Sequence, residues 1–192
     1  LRAEGLVAGG QGRRAVVAAP PVGQSFDTLL SYTAWAESIG RVPGQRTIAL
    51  VERPADGSAA ERLHVEPGSP VFEELRLRLL DGAPAMLERA VYVEHVGRLL
   101  LEFDTDSGSE WAYLQRRGVE LAGASHVLDA VAADAVDARH LLVPEGAPLL
   151  RQQRSTRTVD GTVVEHHDDR YLPGLIRFTL ENVLDARSAV RR

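Results

Sequence analysis

The sequence of 192 residues contains no cysteine. That excludes a disulfide scaffold, thiolate-bound zinc and a cysteine nucleophile. It also lacks any apolar run long enough to span a membrane, and no charged-then-apolar leader opens it, so a cytoplasmic location is expected. No His–Ser–Asp or Cys–His constellation can be assembled. The net charge of −5, with a pI near 5.7, argues against a nucleic-acid surface spread over the whole molecule. Two local basic ends remain, Arg13-Arg14 near the start and Arg187, Arg191 and Arg192 at the close.

What is present is an ordinary globular composition, 44% hydrophobic and 26% charged, long enough for one domain with an appendage. The opening "LRAEGLVAGGQGRRAVVA" starts at Leu1 as though in mid-element, and the chain is expected to be a fragment. "APPVGQ" (Ala19 to Gln24) reads as a linker, since proline and glycine favour extended, unpaired backbone. A helix follows, with Tyr32, Trp35, Ala36 and Ile39 on one face, Ser31 as N-cap and Gly40 as stop. Strands are predicted at Thr47–Arg53, Val71–Leu80, Ala85–Val93, Ser125–Ala133, Leu149–Thr158, Thr162–Tyr171 and Ile176–Leu180. Further helices fit Ser58–His64, Ser109–Arg117 and Asp134–Leu142. Asp81-Gly82 and Asp160-Gly161 are hairpin signals, so the sheet is expected to be antiparallel.

The two hairpins belong to a repeat. "LHVEPGSPVFEELRLRLLDGAPAMLE" from Leu63 parallels "LLVPEGAPLLRQQRSTRTVDGTVVE" from Leu141. Gly68 matches Gly146, Pro70 matches Pro148 and Arg76 matches Arg154. A helix-plus-hairpin unit duplicated around a pseudo-twofold axis is expected, with a cleft between the halves as a natural ligand site.

In "RLRLLDGAPAMLER" (Arg76 to Arg89) strand periodicity puts Arg76 and Arg78 on one face and Leu75, Leu77 and Leu79 on the other. A three-residue loop, Asp81 to Ala83, would set Leu80 opposite Pro84, Arg78 opposite Met86 and Arg76 opposite Glu88. Two guanidiniums side by side suit a multiply charged anion. Spacing alone leaves open a solvated sheet face with one cross-strand ion pair, worth about 0.2–1 kcal/mol. The run "VEHHDDRY" offers His166, His167, Asp168 and Asp169 as metal ligands. Neighbours on a strand point to opposite faces, though, so at most alternate members could meet one ion, and no metal site is assigned. His64, His95, His126 and His140 are scattered and read as ordinary surface or boundary residues.

Gly-x-Pro-hydrophobic, Leu-x-Arg-x-Arg, Asp-Gly-x-Pro-x-x-x-Glu, Ser-x-aromatic-x-x-Leu ("SEWAYL") and Gly-Ala-Pro-Leu-Leu follow one another here in that order. In this the chain resembles the HutC branch of the GntR transcription regulators. The resemblance implies an α/β (α+β) fold: an antiparallel sheet with flanking helices, of the UTRA type related to chorismate lyase, preceded by the remnant of a winged helix-turn-helix. It implies a wing remnant over 1–18, a linker over 19–28, an effector domain over 29–184 and a tail over 185–192. Gly10, Gly12, Arg13 and Arg14 would sit at the wing near operator DNA, with the recognition helix missing. The effector cleft carried over by motif comprises Ser31, Thr33, Arg76, Arg78, Glu88, Ser109, Trp111, Glu165 and Tyr171. Trp111 stands where a tyrosine is more usual, and Leu172, Pro173 and Gly174 replace an expected charged pair.

The implied function is ligand sensing by a dimeric transcriptional repressor, with a small anionic metabolite such as a sugar phosphate as effector and no cofactor. The alternative from another class is a chorismate lyase-like enzyme acting on a small carboxylate.

Overall fold

The computed structural model describes residues 30–180 and the strand positions 7–8, 16–17 and 22–25. The chain divides into two compact units, Leu30–Pro173 and the pair of segments Leu1–Leu29 with Gly174–Arg192. In the second of these, β1 (Val7–Ala8) pairs antiparallel with β2 (Val16–Val17), and β3 (Val22–Ser25) pairs parallel with β10 (Ile176–Thr179). Gly10, Gly12, Arg13 and Arg14 lie outside the described residues.

The larger unit holds a six-stranded antiparallel sheet in the order β4-β5-β6-β9-β8-β7. The strands are β4 (Pro43–Pro54), β5 (Pro70–Leu80), β6 (Ala83–Val93), β7 (Leu121–Ala132), β8 (Pro148–Thr158) and β9 (Val163–Tyr171). Five short helices join them: α1 (Tyr32–Ser38), α2 (Gly57–Leu63), α3 (Glu94–Leu100), α4 (Glu110–Arg116) and α5 (Ala135–Leu141).

The duplication is more extensive than the hairpins suggested. Element starts recur 78 positions on: Tyr32 and Glu110, Pro43 and Leu121, Gly57 and Ala135, Pro70 and Pro148. Each half is therefore helix, strand, helix, hairpin, with α3 as the joint between them. The local devices repeat too. Ser31 and Ser109 each cap a helix by accepting from the backbone N–H three residues on, at 3.2 Å. Asp56 and Asp134 cap α2 and α5 in the same way at 2.8 Å. Each of these saves a helix-end donor that would otherwise be orphaned. His64 and Leu142, 78 apart, close α2 and α5 in the left-handed conformation. The pseudo-twofold axis passes between the central strands β6 and β9.

The first hairpin differs from the expected loop. Leu80 pairs with Ala83, not Pro84, leaving a two-residue turn in which Asp81 and Gly82 both take positive φ (50° and 79°). That is the geometry an Asp-Gly turn favours. A bulge between Arg78 and Leu79 then leaves Ala85 as the extra residue on β6, and the register recovers so that Arg78 faces Met86 and Arg76 faces Glu88. In the second hairpin Thr158 bonds across to Thr162, so the three-residue loop occurs there.

Helix α3 was not anticipated. No side chain caps it, and Gly97 sits in its middle. Gly97 is there for space: a Cβ at that position would overlap the ring of Phe72, which is fully buried in β5. The apolar core includes Phe72, Val71, Leu63, Val96, Leu100 and Val164, with a second cluster of Leu77, Leu87, Leu141 and Leu149. Alanine normally gains about 1 kcal/mol over glycine in a helix. Here Gly97→Ala is expected to destabilise by about 1–3 kcal/mol through overpacking. Urea unfolding checks this; an unchanged or raised midpoint contradicts the packing described.

Candidate functional site

One face of the sheet is apolar and ion-paired to α5; the other carries a buried polar layer. Alternation places Glu74, Arg76 and Arg78 of β5, Glu88 and Tyr92 of β6, Glu165, His167, Asp169 and Tyr171 of β9, and Gln152, Arg154 and Thr156 of β8 on this second face. All but Arg154 are no more than 5% exposed, an unusual density of ionisable groups for an interior. Helix α1 covers the layer through Thr33, and α4 covers it through Glu110.

The two arginines of the sequence motif have different surroundings. Arg76 is fully engaged. It contacts Glu88 at 3.2 Å, Glu74 at 3.9 Å, the carboxylate of Glu110 and the Thr105 carbonyl at 3.5 Å. Arg78 has much less. It donates to the Thr33 hydroxyl at 3.0 Å, lies 4.6 Å from the Tyr32 ring centre and stands 3.9 Å from Glu88. Its Nε–H has no hydrogen-bond partner among the described residues. Burial, and then repulsion from Arg76, lower the Arg78 pKa, whereas three carboxylates overcome burial at Arg76 and raise its pKa further.

His167 sits at the pseudo-twofold axis. Its ring lies 3.2 Å from Glu88, 3.5 Å from Glu165 and 3.7 Å from Asp169, edge-on to Tyr92. Burial and Arg154 oppose its protonation, but Glu165 and Asp169 prevail and hold its pKa well above 6.5. Burial acts to raise both Glu88 and Glu165. Arg76 and His167 nevertheless hold Glu88 well below the usual range, and His167 and Arg154 lower Glu165 to about 2. Burial does raise Glu110 and Asp169, favouring their neutral forms.

The expected site residues can now be placed. Thr33, Arg76, Arg78, Glu88 and Glu165 share this layer. Tyr171 also faces it, donating to the Gln152 side-chain oxygen at 2.7 Å. Ser31 and Ser109 serve as helix caps beside it, at pseudo-equivalent positions. Trp111 is half-buried, its ring 6.0 Å from the Arg154 guanidinium. Sequence reasoning missed Glu74, Glu110, Gln152, Arg154, His167 and Asp169 as members. Glu74 carried a local signal, two residues before Arg76 in the same alternation; Glu110 carried none.

Glu88, His167 and Asp169, and separately Glu74, Glu88 and Glu110, bring ligand-type atoms within 4.8 Å of one another. In both sets Glu88 is already paired with Arg76, whose charge opposes a metal cation. The arrangement is suited to sharing protons and receiving an anion. A surface groove of about 750 Å³ bordered by His95, Leu99, Arg117 and Val159 lies elsewhere and includes none of the layer residues.

Arg76→Ala leaves three buried carboxylates facing each other and is expected to cost about 3–5 kcal/mol of stability; a loss below 1 kcal/mol in urea unfolding contradicts the role given to it. His167 supplies a pH test. Its folded pKa exceeds 6.5, so its stabilisation is fully present below that pH and is lost as pH rises through the folded value. The stability gap between the native chain and His167→Gln should be larger at pH 6 than at pH 9. Equal gaps contradict the ion pairing.

Comparison with known proteins gives this geometry a lineage. Residues 38–174 match the UTRA domain. The chain is 27% identical over 186 residues to the HTH-type transcriptional repressor NagR of Bacillus subtilis, covering 96% of this chain and 75% of that one. It is 26% identical over 156 residues to the histidine utilization repressor of Pseudomonas putida, covering 81% of this chain and 62% of that one. The crystal structure of PhnF from Mycobacterium smegmatis superposes with a TM-score of 0.81 at 26% identity, covering 96% of this chain and 81% of that one. NagR and the histidine utilization repressor are both named as repressors, which supports a regulator rather than an enzyme. No helix among the described residues is long and apolar enough to cross a membrane. The chain belongs to the UTRA-domain family.

Proposed function

We propose that this chain is the effector-sensing part of a DNA-binding transcriptional repressor that works as a homodimer, and that a small anionic metabolite, such as a sugar phosphate, binds over Arg78. The observation that carries this reading is the under-partnered Arg78 guanidinium beside the Thr33 hydroxyl at the start of α1. A buried donor without a partner costs about 1–3 kcal/mol, and an anion's oxygen removes that cost. Glu165, His167 and Tyr171 would supply further polar contacts, and Trp111 a wall. Residues 1–18 are read as the wing remnant, with Gly10, Gly12, Arg13 and Arg14 near operator DNA in the complete protein. The linker over 19–28 leads the chain into the effector domain, read as 29–184, close to α1.

Effector binding at Thr33 and Arg78 then fixes the start of α1, and operator affinity changes through the linker. The size of that change is limited by the effector's differential affinity for the two arrangements. A thermal-shift screen against phosphorylated sugars, amino-sugar phosphates, imidazole acids, chorismate and fatty acids tests the reading. Effector at about a hundred times its dissociation constant adds roughly 2.7 kcal/mol, or roughly 5–10 °C for a chain of this size. Arg78→Ala is expected to abolish the shift while the variant still unfolds cooperatively. An unchanged shift in that variant removes Arg78 from the site.

A further inference from the structure

Arg76 and Arg154 occupy matching positions, 78 residues apart, in strands β5 and β8. Their surroundings differ in kind. Arg76 is held by Glu74 of its own strand, Glu88 of the paired strand and Glu110 of α4. The corresponding residues of the other half are Gln152, His167 and Tyr32, with Glu88 matching His167 because the second hairpin loop is one residue longer. Every carboxylate that satisfies Arg76 is thus replaced around Arg154 by a group without negative charge. Gln152 is occupied elsewhere, accepting from Tyr171 at 2.7 Å and pairing with His126 at 2.7 Å. Tyr32 donates to the Leu79 carbonyl at 3.2 Å. His167, which Glu165 and Asp169 keep protonated, adds positive charge of its own.

What remains for Arg154 is one carboxylate. Glu165 stands 3.5 Å from it, but the same oxygen lies 3.5 Å from the His167 ring and serves both cations. The Arg154 Nε–H has no hydrogen-bond partner among the described residues, as at Arg78. The Arg154 side chain keeps 14% of its surface accessible against 4% for Arg76, so a small molecule can reach it. Glu165, with Asp169 and Glu88 at longer range, outweighs burial and keeps the guanidinium charged. The Trp111 ring of α4 lies 6.0 Å away.

We propose that Arg154 is a second anion anchor, so that the effector carries two anionic groups, a phosphate on Arg78 and a carboxylate on Arg154. The assignment rests on the reading of Arg78 as the first anchor. A chain of contacts joins the two arginines across the layer: Arg78 to Glu88 at 3.9 Å, Glu88 to His167 at 3.2 Å, and His167 to Glu165 and Glu165 to Arg154 at 3.5 Å each. On sheet spacings their Cα atoms, three strands and four residues apart, are separated by roughly 20 Å. Less the reach of two arginine side chains, that span suits anionic groups at opposite ends of a chain of about six carbons, not on neighbouring atoms. Between the anchors lie Glu88, His167 and Glu165, all hydrogen-bonding groups, which match hydroxyls better than methylenes. The chemical class is a phosphorylated sugar acid.

Isothermal titration calorimetry with two probes tests this. 6-Phosphogluconate and glucitol 6-phosphate share an open six-carbon chain and a phosphate, and differ only in a carboxylate or a hydroxymethyl group at the other end. The native chain should bind 6-phosphogluconate about tenfold or more tightly. Arg154→Gln should bind the two equally, and Arg78→Ala should weaken both. A native chain without the preference, or a preference that survives Arg154→Gln, overturns the second anchor; loss of both affinities in Arg78→Ala would still uphold the first. Binding of neither probe also overturns the second anchor and leaves Arg78 to the wider screen. If Arg154→Gln does not fold, nitrogen NMR of the native chain decides. The Arg154 Nε–H resonance should shift with 6-phosphogluconate and stay in place with glucitol 6-phosphate; a resonance unmoved by both overturns the assignment.

Discussion

A guanidinium removed from water must be matched by carboxylates, and the structure is organised around that requirement at Arg76. The residue lies on a central hairpin of the sheet, 3% exposed. Glu74 comes from its own strand, Glu88 from the strand paired with it and Glu110 from a helix laid across the face. Holding these four groups together fixes the position of α4 on the sheet as well as the hairpin register. Isolated buried ions cost far more than they return, so each partner is needed once the others are buried. The same requirement makes the neighbouring Arg78 distinctive: equally buried, it has one hydroxyl, one ring and one distant carboxylate.

Duplication explains how such a layer arises. Arg76 faces Glu88 in one half, and at the corresponding position of the other half Arg154 faces His167. Glu88 and His167 then meet across the pseudo-twofold axis at 3.2 Å. Two copies of one hairpin thus bring a carboxylate and an imidazole together at the centre of the sheet, with an arginine outside each. The halves have diverged where roles differ. Arg78 has become Thr156, and Glu74 has become Gln152.

Local features of the sequence carried much of this. The alternation of Arg76 and Arg78, both Asp-Gly turns, the capping serines and the repeat in Gly-x-Pro are short-range signals, and the elements they define lie where expected. The opposition of Arg76 and Glu88 was also legible, but for an incomplete reason. The turn is one residue shorter than supposed, and the bulge at Ala85 restores the register. What could not be read was long-range. Glu110 reaches Arg76 from 34 positions away, and His167 meets Glu88 only because β9 lies beside β6, which no local period encodes. Helix α3 escaped notice because it lacks a capping side chain and contains a glycine chosen for contact with Phe72. The pairing of Ser31 with Ser109 became visible only when the 78-residue spacing could be followed through every element.

The central claim is that Arg76 holds the layer together while Arg78 is left to receive an anion. Guanidinium nitrogen NMR of the arginine Nε–H groups, recorded while a stabilising anionic compound is titrated into the chain, addresses it most directly. The account predicts that the Arg78 Nε–H resonance shifts and its exchange with water slows, while the Arg76 resonance stays in place. Binding that moves Arg76 and leaves Arg78 untouched would contradict it.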